Sequence, residues 1–381
     1  MRTAIAAVWA TILCAFFLQT ANALQTDLVS LKADSVFASS VIGLLMAAYY
    51  AGYFFAPPAG RYLIVRFGHI PTVAVSMVMT ALIILVLPLL VTAPAWGFFR
   101  LLTGFALALT YVALESWIND AVPNRLRGRV FSFYLFAQMV GMTLAQGLVT
   151  FGTADNYYMF AMASGIFGLA ALPVLFSRDS APASVPPVPL SLSTLFRRSP
   201  MGAIATLAAG LTWAVLFTFG PVYAKRIGLD MSGIGLLMGI SVAAGGVAQI
   251  PSGWMSDRLG RRPVLLILFG GGVAASLVAF IGTGLTSCFV ATAMAGTFIF
   301  PIYAVSAAAV NDRIEPDVRV AAASGLVLLF GLGSIFGPLL CGPLMGALGP
   351  NGFFALLGAA MATGLVSTLV FAPSRAAPVT R

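Results

Sequence analysis

Charge is what this sequence has least of. Of its 381 residues only 8% are charged while 60% are hydrophobic, and the mean hydropathy is +1.01. A water-soluble domain carries roughly 25% charged residues, so the composition excludes one and indicates a polytopic membrane protein. Acids are scarcer than bases, 11 against 20. The one histidine, His69, falls in a loop by sequence, which argues against a histidine-based metal site. The three cysteines, Cys14, Cys288 and Cys341, sit in apolar runs without metal spacing or an even count. They read as small packing residues. No metal and no cofactor are expected. A membrane-embedded enzyme would need a nucleophile, base or metal cluster at spanning depth; with no histidine and almost no acids there, enzymatic chemistry is not expected. The net charge of +9 lies in short loops rather than in a patch, so no nucleic-acid partner is expected.

What the sequence does have is long apolar runs. A spanning helix takes about 20 apolar residues, and continuous runs of that length suit helices better than the alternating segments of a barrel. Twelve spans are predicted: 4–23, 37–58, 72–92, 96–118, 128–150, 157–177, 201–224, 232–252, 264–284, 288–310, 320–344 and 352–372. The N-terminus resembles a signal peptide, with Arg2, an apolar run and Ala21-Asn-Ala23. Its run is long for a signal core, and its loss would leave the halves unequal, so it is read as the first helix. Residues 24–36 are read as a connection. The Pro/Ser-rich stretch 178–200 is read as a flexible linker with no core of its own. The predicted domains are a bundle over 1–177, the linker 178–200 and a bundle over 201–381. Only Lys32, Arg100, Lys225 and Arg226 fall on one side of the membrane; the other side holds 20 − 4 = 16 of the basic residues. Basic loops stay cytoplasmic, so both termini are expected in the cytoplasm of a multi-pass protein, in a bacterial inner membrane.

The halves repeat. Arg66 and Arg258 differ by 192, as do Asn119-Asp120 and Asn311-Asp312, Arg127 and Arg319, and Gly141 and Gly333. Six spans is even, so the copies are parallel repeats about an axis along the membrane normal. A solute site is expected between such repeats near the midplane.

Two basic turns lead further. The second reads Gly253-Trp-Met-Ser-Asp257-Arg258-Leu-Gly260-Arg261-Arg262. It matches the signature Gly-x-x-x-Asp-Arg-x-Gly-Arg-Arg of the major facilitator superfamily, which the chain resembles over its whole length. The first copy keeps Arg66 and Gly68 but has Val65 in place of the acid and Gly60 one place early. Arg100-Leu-Leu-Thr-Gly104 resembles the Arg-x-x-x-Gly element of the fourth helix, and Glu115-Ser116-Trp117-Ile-Asn119 looks like a smaller branch of that superfamily. The resemblance implies an all-α fold of twelve transmembrane helices in two parallel six-helix repeats, and transport rather than catalysis. Drug–proton antiporters often carry a Gly-Pro motif in helix 5. Here it is absent, and Gly333, Gly337-Pro338 and Gly342-Pro343 stand in the eleventh span instead, a candidate moving element.

The gating candidates are Arg66 with Asp120 in the first half, and Gly253, Asp257, Arg258, Gly260, Arg261 and Asp312 in the second, where Arg258 is expected to pair with Asp312. Arg100, Thr103, Leu107, Tyr111 and Glu115 share one helix face by spacing. Arg100 could take an anionic or carbonyl group, or snorkel to the interface. Glu115 could carry a proton, or brace Arg66, Arg125 or Arg127. The substrate-binding candidates are Gln19, Asn22, Tyr50, Arg100, Tyr111, Gln138, Trp213 and Tyr303, because buried amides and rings in lipid face protein or a cavity. They suggest an aromatic-lined, weakly charged pocket. The expected function is a monomeric secondary transporter of a small organic solute by alternating access, with uptake of an uncharged or weakly charged aromatic solute such as riboflavin favoured. Multidrug or sugar efflux, and a non-transporting membrane sensor, are the alternatives.

Overall fold

The structure is a computed structural model that describes residues 2–177, 192–315 and 319–371. It is helical: α1 (Arg2–Val36), α2 (Ser39–Phe67), α3 (His69–Val86), α4 (Ala93–Ala121), α5 (Asn124–Leu148), α6 (Tyr157–Leu175), α7 (Leu192–Arg198), α8 (Pro200–Arg226), α9 (Met231–Leu259), α10 (Arg261–Ile281), α11 (Gly284–Ile299), α12 (Ile302–Asn311), α13 (Arg319–Leu348) and α14 (Asn351–Val370). Among the described residues twelve segments are long and apolar enough to cross a membrane. The tenth is α11 and α12 together, interrupted where Pro301 removes a backbone donor.

Two connections differ from expectation. Residues 24–36 continue α1 rather than leaving it. No Gly or Pro interrupts Arg2–Val36, and Leu24, Leu28 and Leu31 are buried at helical spacing, so packing holds the helix together past its apolar run. The linker also differs at its end. Residues 178–191 lie outside the described residues, but Leu192–Arg198 forms α7. Leu195 of α7 is buried against Ala203, Val310, Ile314, Ala322, Leu326 and Leu329. Arg198 pairs with Glu315, and a backbone hydrogen bond at Glu315 together with that pairing holds the carboxyl below the usual range.

The repeat has backbone counterparts. Gly68 ends α2 at φ 89°, and Gly260 starts the next helix at φ 88°, at 260 − 68 = 192. Only glycine takes that φ without strain, so the tight turn between two spans is the same device in both halves. A Cβ on Gly141 would fall against the Phe16 carbonyl, and one on Gly333 against that of Leu207.

The described residues form two compact units. The first gathers Met1–Pro186 with Val215–Val242 and Ile335–Phe353; the second gathers Pro187–Ala214, Ala243–Ser334 and Phe354–Arg381. In the first, α1 packs on α5 and α6, α2 on α4, and α3 on α4 and α6. The first unit thus contains the second-half segments that end α8 and α13 and begin α9 and α14.

Candidate functional site

A row of polar groups in the first unit lies along α1. Gln19 Oε1 accepts a short hydrogen bond from the Tyr111 hydroxyl of α4. One turn on, Asn22 Oδ1 accepts from Gln25 Nε2 at 3.0 Å and from the Tyr49 hydroxyl at 3.2 Å. The rings follow: Tyr49 meets Tyr50 edge-on at 5.1 Å, and Tyr53 lies 6.1 Å from Tyr111. Arg100 sits 4.3 Å above the Tyr49 ring and is fully buried. Gln19, Asn22, Tyr50, Arg100 and Tyr111 are therefore joined by contacts through Tyr49, Tyr53 and the α2–α4 packing. Gln138 stands apart, half-buried on α5 beside Ala137, which lines an open apolar groove with Trp9, Phe16, Phe133 and Phe136. Glu115 is exposed, and among the described residues no ion pair joins it to Arg66 or Arg127; the Arg125 side chain lies outside the described residues. Arg66 instead donates to the Tyr62 hydroxyl at 2.6 Å, and Arg127 to the Asn119 carbonyl at 2.7 Å.

In the second unit Trp213 lies 4.6 Å from Phe300 and 6.4 Å from Phe330, and Tyr303 meets Phe330 edge-on at 5.2 Å. Phe330 closes this cluster and sits in an unbroken apolar run, where periodicity gives no reason to single it out.

Two features were not expected. Asp27 is buried and accepts from Gln146 Nε2 of α5 at 3.1 Å. The other end of that amide, Oε1, has no partner. Replacing Asp27 with leucine is expected to cost about 1–3 kcal/mol, because it strands a buried amide. Asp27→Asn, which can still accept from Gln146, is expected to cost markedly less. Thermal melts of both variants check this; equal melting temperatures for the two would count against the pair.

The other is an ion cluster joining α1, α2, α8 and α13. Asp34 Oδ1 accepts from Arg226 Nε at 2.9 Å and Nη2 at 2.7 Å, with Lys225 Nζ 3.5 Å from Oδ2. Arg226 also donates to Ser39 Oγ at 2.7 Å and the Met345 carbonyl at 3.3 Å. Beside it, a Cβ on Gly43 would fall on the Pro338 carbonyl and one on Gly342 on the Ser39 carbonyl, so α2 and α13 touch backbone to backbone. This contact accounts for Gly342, four residues after Pro338. Nearby, Lys32 pairs with Asp155 at 2.5 Å and holds that exposed carboxyl below its ordinary pKa.

The gating candidates of the second half also meet, but with a change of partner. Arg261, not Arg258, bonds Asp257 at 2.6 Å and Asp312 at 3.0 Å. Arg258 lies over the Trp254 ring at 3.9 Å. Gly260 turns the chain so that Arg261 opens α10, and this carries its side chain toward α12. His69 is not in a loop: it is the first residue of α3, buried, with Nε2 3.1 Å from Ser116 Oγ and its ring 6.1 Å from Trp117. The Ser116-Trp117 pair thus anchors the start of α3. No group of three or more His, Cys, Asp or Glu that could hold a metal occurs among the described residues.

Twelve spanning helices, a 192-residue repeat and paired glycine turns specify a fold, and comparison with known proteins agrees. The family model described as Major Facilitator Superfamily matches residues 6–234 and 202–381. The chain belongs to the major facilitator superfamily. It is 25% identical over 318 residues to the uncharacterized MFS-type transporter YcaD of Escherichia fergusonii, covering 83% of this chain and 82% of that one. It is 26% identical over 340 residues to the uncharacterized MFS-type transporter Ent638_1421 of Enterobacter sp. (strain 638), covering 89% and 88%. Among solved structures it resembles the nucleoside transporter NupG, with a TM-score of 0.78 at 15% identity over 95% of this chain and 97% of that one. It also resembles a D-xylose-proton symporter, with a TM-score of 0.75 at 16% identity over 94% and 95%. At such identities the solved structures speak for the fold alone. The protein is a multi-pass secondary transporter of this superfamily, not an enzyme.

Proposed function

We propose that this transporter takes up a small, uncharged or weakly charged organic solute with a flat aromatic ring, by alternating access between its repeats 1–177 and 201–381. The observation that carries the reading is the polar and aromatic cluster of Gln19, Asn22, Tyr49, Tyr53 and Tyr111 inside an otherwise apolar bundle. Rings and a few amides suit a solute held by stacking and hydrogen bonds. Sugar phosphates and dicarboxylates would ask for paired cations. The missing Gly-Pro motif of the fifth span favours uptake over drug export. Riboflavin is one member of the solute class; neither the relatives' names nor the fold favours it over others.

The asymmetry of 16 basic residues against 4 supports a reading with both termini in the cytoplasm and the Asp34–Arg226 cluster at the opposite face. In that orientation the Asp34 cluster is an outer latch, and the Asp257–Arg261–Asp312 cluster braces the cytoplasmic ends of α9, α10 and α12 in the gating role given to that turn. A thermal-shift screen of purified protein against vitamins, nucleobases, sugars and cationic drugs tests the cargo, because a ligand of the native state raises apparent stability. Stabilisation by a flat aromatic solute, followed by its uptake into proteoliposomes, is expected. Stabilisation by a sugar or a cation with none by any aromatic overturns the solute class. Binding without uptake turns the reading to a sensor.

A further inference from the structure

Four basic residues lie away from the basic face, and three have acid partners. Lys32 pairs with Asp155, and Lys225 and Arg226 pair with Asp34. Arg100 has none. Its guanidinium is fully buried on α4, with Nη2 3.6 Å from the Met46 sulfur and the Tyr49 ring 4.3 Å below. Nε and Nη1 are buried without any partner.

Snorkelling cannot account for this arrangement, because a snorkelling arginine carries its head to the interface, and this one has no exposed surface. A thioether is a weak acceptor. A cation–π contact stabilises a desolvated guanidinium only in part. Burying an ion without a counter-charge is costly, and buried donors are ordinarily filled. Arg100 thus has the chemistry of an anion-binding group. Gly52 of α2 and Gly104 of α4 pack against the Leu101 and Tyr49 carbonyls, which fixes Tyr49 beneath the guanidinium.

We propose that Arg100 is the anion-binding residue of the solute site, and that the transported solute is an organic monoanion whose carboxylate occupies the vacant Nε and Nη1 donors. This rests on the reading of the Tyr49–Tyr53–Tyr111 cluster as the solute site. Tyr50, half-buried and at right angles to Tyr49, offers its ring beside the carboxylate. A single cation suits a single charge; a phosphate monoester would need a second. Ser30 of α1 reaches the same thioether, its hydroxyl 4.0 Å from the Met46 sulfur. The guanidinium is sealed in this conformation, so the anion reaches it only when α1, α2 or α4 shifts.

The test uses full-length protein in nanodiscs, without ligand and with matched pairs: nicotinate and nicotinamide, benzoate and benzamide, with butyrate and sodium nitrate as further arms. Wild type is expected to bind at least one aromatic acid about ten-fold or more tightly than its amide by thermal shift and calorimetry. Arg100→Gln should abolish that preference and Arg100→Lys keep part of it. Because Arg100→Gln relieves a buried charge, its ligand-free melting temperature is expected to match or exceed wild type. If it fails to fold, Arg100→Lys alone decides: a reduced but remaining preference supports the proposal, and an unchanged one overturns it. Equal binding of acid and amide by wild type, an unchanged preference in the lysine variant, or no binding of any acid overturns the proposal. Nitrate competing as well as the aromatic acids overturns it in favour of a small inorganic anion. Amides bound without acids leave the aromatic reading standing while the anion site falls. Butyrate bound as tightly as benzoate leaves the anion site standing while the aromatic reading falls.

Discussion

Replacing Asp34 with alanine is expected to open the far end of the bundle and to lower the melting temperature. The carboxylate is 8% exposed and takes two hydrogen bonds from Arg226, whose side chain is 24% exposed, with Lys225 nearby. Removing it leaves two cations side by side, each without a counter-charge. Stripping one partner from a buried ion pair costs about 3–5 kcal/mol. Partial exposure screens this pair, so about 2–4 kcal/mol is the expected loss, discounted for solvent. At 1.4 kcal/mol per factor of ten, the closed arrangement becomes at least about thirty-fold less favoured. Because Arg226 also holds Ser39 of α2 and the Met345 carbonyl of α13, four helices loosen together. Alkylation of a cysteine placed at Ser39 reads this directly. The rate should rise strongly in Asp34→Ala, stay near wild type in Asp34→Glu, and fall back when Asp34→Arg is combined with Arg226→Asp. Labelling of Asp34→Ala at the wild-type rate would remove the latch from the mechanism.

Much of this fold was legible in the sequence because its signals are local. Twelve runs meet the length requirement of a bilayer, and the turns at Gly68 and Gly260 must be glycine whatever surrounds them. The extension of α1 was not legible. Gln25, Thr26, Asp27, Ser30, Lys32 and Asp34 read as a polar connection, yet Gln25, Thr26, Asp27 and Ser30 are buried within the first unit. Hydropathy prices such residues against lipid, and here they face protein. The candidate residues show the same division. Gln19, Asn22 and Tyr111 met because spacing put them on facing sides of α1, α2 and α4. Gln138 did not: it lies on α5 next to Ala137, which lines the apolar groove. The swap of Arg261 for Arg258 at Asp312 depends on the direction of a turn, which a motif records only as the letter Gly.

One missed signal was available. Asp34 and Arg226 are separated by 226 − 34 = 192, the repeat offset itself. Equivalent positions of two copies meet when they lie near the axis relating them, as at an isologous interface. Opposite charges at equivalent positions, each at the end of its helix, therefore mark an axial contact. The same logic does not find Asp27–Gln146, whose members both lie in the first repeat and owe their meeting to the packing of α1 on α5.

Gly104→Leu is expected to abolish folding, and Gly104→Ala to weaken it by about 1–3 kcal/mol, the usual range for overpacking. A Cβ on Gly104 would fall on the Tyr49 carbonyl, and one on Gly52 on the Leu101 carbonyl. Each glycine thus lets one helix rest on the other's backbone. A side-chain tip could rotate out of the way; a backbone carbonyl bonded into a helix cannot, so α2 and α4 must separate. Separation would uncover Ala56, Ala108 and Leu109, which pack with Tyr53, Leu63 and Phe105 along the same contact. In a membrane such close approach is itself the source of helix association, since lipid is as apolar as the residues it replaces. The loss would also reach the candidate site. Gly104 lies one turn from Arg100, and its contact fixes the residue whose ring lies under the guanidinium. Gly165→Ala on α6, where nothing lies within 4 Å of the added carbon, is the control and should change stability by no more than about 0.5 kcal/mol. Size-exclusion profiles and melting curves of the three variants decide the matter. A Gly104→Leu protein that is monodisperse and melts with wild type would mean that α2 and α4 do not meet at these glycines.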